Sequence, residues 1–284
     1  MWNKLKTTLE MIKFEHTVFA LPFALIGALL AAEGMPSSGQ LLWIVLAMVG
    51  ARSAAMTFNR IVDLQYDSAN PRTRIRALPS GTLSMGFAVV FTLVMSGLFV
   101  ASAAMLNTLC LYLSFPVLGI LFGYSYTKRF TALSHLVLGF AIGLAPLGAW
   151  LAIRGEFAWI PVLLSGAVMC WIGGFDIIYA CQDTDFDRKA GLFSMPSRWG
   201  TATALHVSST LHVGATLLLI NVGRLGELGV IAYIGIAVVA AILYWEHRIV
   251  RPDDLSRVNM AFFGLNGYVS MLLLAAIATD VLVR

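Results

Sequence analysis

The sequence predicts an all-α membrane protein, a bundle of nine transmembrane helices with an active site that faces the cytoplasm. Three observations predict it. Hydrophobic residues make up 59% of the 284-residue chain and charged residues only 12%, far from the balance of a soluble domain. The apolar residues fall in windows long enough to cross about 30 Å of hydrocarbon, over 16–32, 41–60, 84–104, 107–125, 131–152, 157–181, 201–221, 225–244 and 260–282. The basic residues are also unevenly shared. With the first span entering from the cytoplasm, that side holds Lys4, Lys6, Lys13, Arg52, Arg60, Arg72, Arg74, Arg76, Lys128, Arg129, Arg188, Lys189, Arg198, Arg248, Arg251 and Arg257, and the other side only Arg154, Arg224 and Arg284. Sixteen of nineteen on one face is the positive-inside asymmetry, which favours nine spans over eight or ten and puts the N-terminus in the cytoplasm. The basic balance therefore reads as topology, and no nucleic-acid-binding motif competes with that reading.

The N-terminal lysines before an apolar run resemble a secretory signal, but the run is long for one and many further spans follow it. Pro22 lies within the first span, where membrane helices tolerate proline if neighbours satisfy the freed carbonyl. Glu15 and His16 at its edge read as interfacial residues.

The second span ends in Asn59-Arg60-Ile61-Val62-Asp63-Leu64-Gln65-Tyr66-Asp67. If the helix continues through this stretch, Asn59, Asp63 and Asp67 project from one face, about 6 Å apart along the axis. Carboxylates so placed repel, and in an apolar setting a hard divalent cation is the expected offset. The loop that follows carries Arg72, Arg74 and Arg76 at alternate positions before Leu78-Pro79-Ser80-Gly81. Guanidinium groups beside metal-bearing carboxylates are a means of holding a diphosphate.

The third and fourth spans are separated only by Ala103 to Asn107, the weakest boundary in the chain. Lys128-Arg129 closes the fourth span. Arg129 can bind a carboxylate bidentately, and by position alone it is equally a topology anchor. In the fifth span Gly139, Gly143, Pro146 and Gly148 read as small residues that let helices approach closely.

The sixth span ends in a second acidic set, Asp176, Tyr179, Asp183 and Asp187, spaced three, four and four. Two acidic faces meeting across a bundle would make one metal-binding polar site. The stretch after it, Asp187 to Gly200, echoes the first loop in its basic residues and its Pro196-Ser197, as a faint internal repeat would. In the last three spans no motif stands out, and Ser208 reads as a neutral position. Cys110, Cys170 and Cys181 form no C-x-x-C pair and argue against disulfides or a zinc site. His135, His206, His212 and His247 show no ligand spacing with one another.

These residues together resemble the UbiA superfamily of intramembrane aromatic prenyltransferases. The family's first signature, N-D/R-x-x-D-x-x-x-D, is matched by Asn59, Arg60, Asp63 and Asp67, with Arg60 where many members have Asp. Its second, D-x-x-Y-x-x-x-D-x-x-x-D, is matched by Asp176, Tyr179, Asp183 and Asp187. Leu78-Pro79-Ser80-Gly81, the Tyr124 to Thr131 stretch around Lys128, and the nine spans are similar to the 4-hydroxybenzoate polyprenyltransferase branch. The likeness covers almost the whole chain, and residues 1–284 are read as a single polytopic domain.

The resemblance implies transfer of a polyprenyl group from an allylic polyprenyl diphosphate to the ring of an aromatic acid. The acid would be 4-hydroxybenzoate for ubiquinone, or a dihydroxynaphthoate for menaquinone. Mg²⁺ is the expected cofactor, because the candidate ligands Asp63, Asp67, Asp183 and Asp187 are all oxygen donors and the substrate brings phosphate; one ion or two are both compatible. Asn59, Asp176 and Tyr179 complete the expected catalytic set. Arg72, Lys128 and Lys189 are expected on the diphosphate and Arg129 on the acceptor's carboxylate, with Tyr66 and Tyr179 sheltering the prenyl cation. The implied setting is the lipid bilayer of a bacterial inner membrane. A cation-coupled transporter is the rival class, since intramembrane acids also serve such proteins, but these acids sit at helix ends beside basic loops.

Overall fold

Hydrocarbon offers no partner for backbone N–H and C=O groups, so an apolar window must satisfy them internally, and each window becomes a helix. The structure, a computed structural model, describes residues 2–13 and 17–283, so Glu15 and His16 lie outside the described residues. The helices are α1 (Trp2–Met11), α2 (Thr17–Ala32), α3 (Ser38–Val62), α4 (Leu64–Ala69), α5 (Met85–Leu106), α6 (Thr108–Thr127), α7 (Ser134–Arg154), α8 (Trp159–Ala180), α9 (Thr184–Lys189), α10 (Met195–Trp199), α11 (Thr201–Leu225), α12 (Val230–Ile249) and α13 (Asn266–Val283). A 3₁₀ turn at Cys181–Asp183 joins α8 to α9, and a π turn at Met260–Leu265 leads into α13. Among the described residues, eight helices are long and apolar enough to cross a membrane, and Phe19–Ala32 is a shorter apolar one. Each of the nine windows read from sequence thus overlaps a helix over its described residues, the eighth shifted from 225–244 to Val230–Ile249, and the chain is a multi-pass membrane protein.

The weakest boundary is settled by one side chain. Asn107 leaves the helix with φ −167° and ψ 170°, and its Oδ1 accepts from Cys110 N at 2.8 Å. It ends α5 and caps α6, satisfying a donor that the new helix would otherwise leave orphaned.

Contacts divide the chain into two compact units, 1–17 with 39–126 and 18–38 with 127–284. The first unit holds α1, α3, α4, α5 and α6. Gly50 of α3 admits the backbone of α5, since a Cβ there would lie 2.8 Å from Phe99 N. Phe58 of α3 stacks on Phe122 of α6 with centroids 4.4 Å apart. Met11, Ile12, Leu78, Leu83 and Ala88 form a buried cluster beneath the loop that follows α4.

The second unit is built around α8, whose Leu164, Val168, Ile172, Ile177 and Ile178 are wholly buried. Gly143 of α7 faces it so closely that a Cβ would sit 2.7 Å from Ser165 O, and one on Gly139 would overlap Met169 O. Gly148 has open space instead, so the small-residue reading holds for the first two glycines and not for the third. Phe19 of α2, Phe175 of α8 and Phe262 of the π turn pack as one aromatic group, with centroids 5.1 to 5.6 Å apart. A helix enclosed in this way holds its polar end residues in fixed positions.

Candidate active site

The first acidic set does not sit on one uninterrupted helix. α3 stops at Val62 and α4 starts at Leu64, with Asp63 at φ −90° and ψ 7° between them. The backbone bonds still follow the helical register, Asp63 N to Asn59 O at 2.9 Å and Asp67 N to Asp63 O at 2.8 Å. The three side chains therefore keep a common face across the break. Asn59 Nδ2 donates to Asp63 Oδ2 at 2.9 Å, and Arg60 Nη1 donates to Asn59 Oδ1 at 3.3 Å.

Asp67 is buried, and its charge is met by the protein. Arg76 Nη1 lies 2.7 Å from one carboxylate oxygen and 2.8 Å from the other, while Arg60 Nη1 is 3.8 Å away. The spacing made a hard divalent cation the expected offset for these charges; in the structure guanidinium groups supply part of it. Thr73, itself buried, donates to Asp67 O at 3.0 Å. Arg72 N donates to Asn70 Oδ1 at 2.9 Å, which shapes the loop, and the Arg72 residue is exposed. Arg76, not among the residues expected on the diphosphate, is an arginine of this loop that sits on an aspartate of the set. Tyr66 is half-buried on α4.

The second set is carried by the end of α8, the 3₁₀ turn and α9. Asp176 Oδ2 meets His135 Nδ1 at 2.6 Å. His135 is 3% exposed, and its Nε2 faces Met195 N at 3.3 Å. A backbone N–H can only donate, so Nε2 accepts and the proton on Nδ1 points at the carboxylate. Sequence reasoning left His135 aside because its partner is 41 residues away, beyond any local spacing signal.

Asp187 is wholly buried. Ser194 Oγ donates to its Oδ2 at 2.8 Å, and Lys128 Nζ lies 2.8 Å from its Oδ1. The lysine is placed for charge but not aligned as a hydrogen-bond donor, and Oδ1 has no such partner among the described residues. Ser194 is fixed by a reciprocal cap with Ser197 at the start of α10, a pattern visible in the sequence as Ser-x-x-Ser. Phe193 N donates to Lys128 O at 2.7 Å, which ties the loop after α9 to the one after α6.

Tyr179 stacks on Phe262 with centroids 4.2 Å apart and an interplanar angle of 29°. Asp183 and Arg129 are half-buried. Lys189 is exposed, and no ion pair or hydrogen bond holds its side chain among the described residues. The structure thus brings Lys128 to Asp187 and leaves Lys189 apart from it.

These residues suit a hard divalent cation. All the candidate donors are carboxylate oxygens, and the buried Asp187 Oδ1 is matched by charge without a hydrogen bond, so it retains a lone pair for a cation.

The sequence model of the UbiA prenyltransferase family matches residues 20–272. A 4-hydroxybenzoate octaprenyltransferase from Nitrosospira multiformis is 32% identical over 258 residues, covering 91% of this chain and 88% of that protein. One from Pseudomonas aeruginosa is 33% identical over 233 residues, covering 82% and 78%. Among solved structures, the apo form of a UbiA homolog from Aeropyrum pernix K1 superposes with a TM-score of 0.86 at 36% identity, covering 94% of this chain and 98% of that one. A UbiA homolog from Archaeoglobus fulgidus bound to DMAPP and Mg²⁺ shares the fold, with a TM-score of 0.74 at 19% identity and coverage of 97% and 99%. Two intact acidic signatures at the ends of α3 and α8, a match over most of the length and relatives above 30% identity place this chain in the UbiA prenyltransferase family.

Proposed function

We propose that this protein transfers a polyprenyl group from a polyprenyl diphosphate to the ring of 4-hydroxybenzoate, a step of ubiquinone formation, and that both compact units work as a single domain over 1–284. The observation that carries the reading is the pairing of buried acids with partly exposed bases, Asp187 with Lys128 and Asp67 with Arg76. Relatives named 4-hydroxybenzoate octaprenyltransferase support the choice of acceptor over a dihydroxynaphthoate.

Asp63, Asp67, Asp183 and Asp187 would hold Mg²⁺. When bound, that ion supplies positive charge that neutralises the departing diphosphate in a site of low dielectric. Lys128 moves its ammonium from Asp187 to a diphosphate oxygen, as a compact charge on a flexible stem can. Arg76 and Arg72 add charge from the loop after α4, and Lys189 from the end of α9. Asn59 holds Asp63 by its amide. His135 holds Asp176, so that carboxylate stays oriented through turnover. The allylic C–O bond breaks, diphosphate leaves with the bonding pair, the ring carbon forms the new C–C bond and the ring then loses a proton. Tyr179, stacked on Phe262, presents an aromatic face to the prenyl cation, a contact that contributes about 1–2 kcal/mol once desolvated. Arg129 takes the acceptor's carboxylate by its planar fork. The isoprenoid tail lies among apolar helices, which accounts for a membrane setting, and the orientation with basic loops inside is that of a bacterial inner membrane.

Purified protein supplied with Mg²⁺, a polyprenyl diphosphate and either aromatic acid decides the matter. Pyrophosphate and prenylated 4-hydroxybenzoate are expected. Product from the dihydroxynaphthoate alone would reassign the acceptor, and cation uptake by proteoliposomes without either product would favour a transporter.

A further inference from the structure

A second polar cluster lies in the second unit, made of residues that none of the acidic signatures contain. His212 of α11 and Glu246 and His247 of α12 bring one ligand atom each to within 4.8 Å of one another. His212 and Glu246 are 2% and 0% exposed. His212 Nε2 lies 3.2 Å from Trp171 O. A carbonyl only accepts, so Nε2 carries the proton and Nδ1 turns a lone pair inward. That lone pair accepts a hydrogen bond from His247 Nε2 at 2.9 Å, a proton that a bound cation would displace, and Glu246 Oε2 lies 3.4 Å from it. Two ligands about 2 Å from one tetrahedral ion lie roughly 3.3 Å apart, a separation these two distances bracket.

The surroundings orient the ligands as an outer shell does. Asn266 Nδ2 donates to Glu246 Oε1 at 2.7 Å, and Asn266 Oδ1 accepts from Trp171 Nε1 at 2.6 Å. Asn266 is in turn held by Ala261 O at 3.0 Å, inside the π turn Met260–Leu265, a local distortion often found where a helix serves a site. Gly174 makes the room, because a Cβ there would overlap the His212 ring. One oxygen is left over. Glu246 Oε2 is fully buried and has no hydrogen-bond partner among the described residues, although a carboxyl oxygen in such a place calls for a proton, a partner or a cation.

We propose that His212 Nδ1, His247 Nε2 and Glu246 Oε2 bind a borderline divalent cation, Zn²⁺ before Mg²⁺, in a site separate from the aspartate motifs. Two imidazoles and one carboxylate are a donor set for zinc and not for magnesium. The ion clamps α11 to α12 and, through Asn266 and Trp171, engages α13 and α8. It spares the cluster an unpartnered oxygen without entering the transfer reaction.

Full-length protein in detergent, stripped with chelator and titrated with Co²⁺ and with Zn²⁺, tests this. One Co²⁺ per chain with the strong visible bands of a four-coordinate, nitrogen-ligated ion is expected, together with a rise in thermal midpoint on adding Zn²⁺. Both signals should persist in Asp67→Asn and Asp187→Asn. Both should vanish in Glu246→Gln, and His247→Ala should weaken Co²⁺ binding about tenfold or more. Glu246→Gln keeps the size of the side chain and the acceptor for Asn266; should it fail to fold, His247→Ala, at a partly exposed position, decides. Absence of the bands in the wild-type protein, or bands unchanged in the variant that decides, overturns the proposal.

Discussion

Asp67 and Asp187 are buried carboxylates whose charges are met by Arg76 and Lys128, so removing the carboxylate charge also breaks a local pair. Asp63→Asn, Asp67→Asn, Asp183→Asn and Asp187→Asn should each lower turnover at least 10²-fold, the loss of several kcal/mol of transition-state stabilisation. Near-normal rates in any two would remove the metal–diphosphate reading. A control has to be chosen with the structure in hand. Ser208, neutral by sequence, is fully buried and donates to Gly174 O at 2.7 Å, so it bridges α11 and α8 and is unsuitable; exposed Thr210→Ala serves instead. Arg129→Ala should raise the KM for the aromatic acid far more than that for the diphosphate, by roughly 1.5–3 kcal/mol for a lost charge-assisted pair. Lys128→Ala should do the reverse. If the preference for the acid over a phenol without the carboxylate is unchanged in Arg129→Ala, another group holds the carboxylate.

At the scale of elements, the contact of α7 with α8 both packs the second unit and positions its acids. Gly139 and Gly143 set the backbone distance, and His135 reaches from α7 to Asp176 of α8. Gly139→Ala and Gly143→Ala should each cost about 1–3 kcal/mol through overpacking, seen as a lower thermal midpoint in detergent, whereas Gly148→Ala, facing open space, should leave the midpoint in place. A lowered midpoint for Gly148→Ala alone would contradict the assigned helix faces. His135→Gln removes a hydrogen bond to a charged group, worth about 1.5–3 kcal/mol. Turnover should fall roughly tenfold or more while helical content measured by circular dichroism is unchanged. Equal activity would show that Asp176 needs no partner.

For the whole molecule, the distribution of basic residues predicts an orientation that accessibility can check. Cysteines placed in the 72–76 loop and just after Arg188 should react with an impermeant reagent from the cytoplasmic side alone, and those near Ser37 or Arg224 from the other side. Opposite labelling of the two basic loops would separate the acidic sets across the membrane and end the case for a shared reaction. Arg52 and Arg60, counted from sequence with the cytoplasmic loops, lie within α3, and Arg52 Nη2 donates to Lys13 O at 3.0 Å. Some of the positive-inside signal is thus carried by residues that also brace the structure.

The sequence by itself determined that its nine apolar windows become helical, because apolar length in a bilayer leaves so long a run no other way to satisfy its backbone hydrogen bonds, and it marked both acidic sets, because residues three and four apart share one face of a helical register. Asn107 marked the weakest boundary, and its capping geometry was readable only once its φ and ψ were fixed. Tertiary structure alone decided which charges meet. Arg76 reaches Asp67, His135 reaches Asp176 over a separation of 41 residues, and Lys128 reaches Asp187 from the far end of a long stretch of intervening helix and loop. It also decided the His212, Glu246 and His247 cluster. No spacing rule links residues on two different spans, since their approach depends on how helices pack and on a glycine, Gly174, that admits a ring.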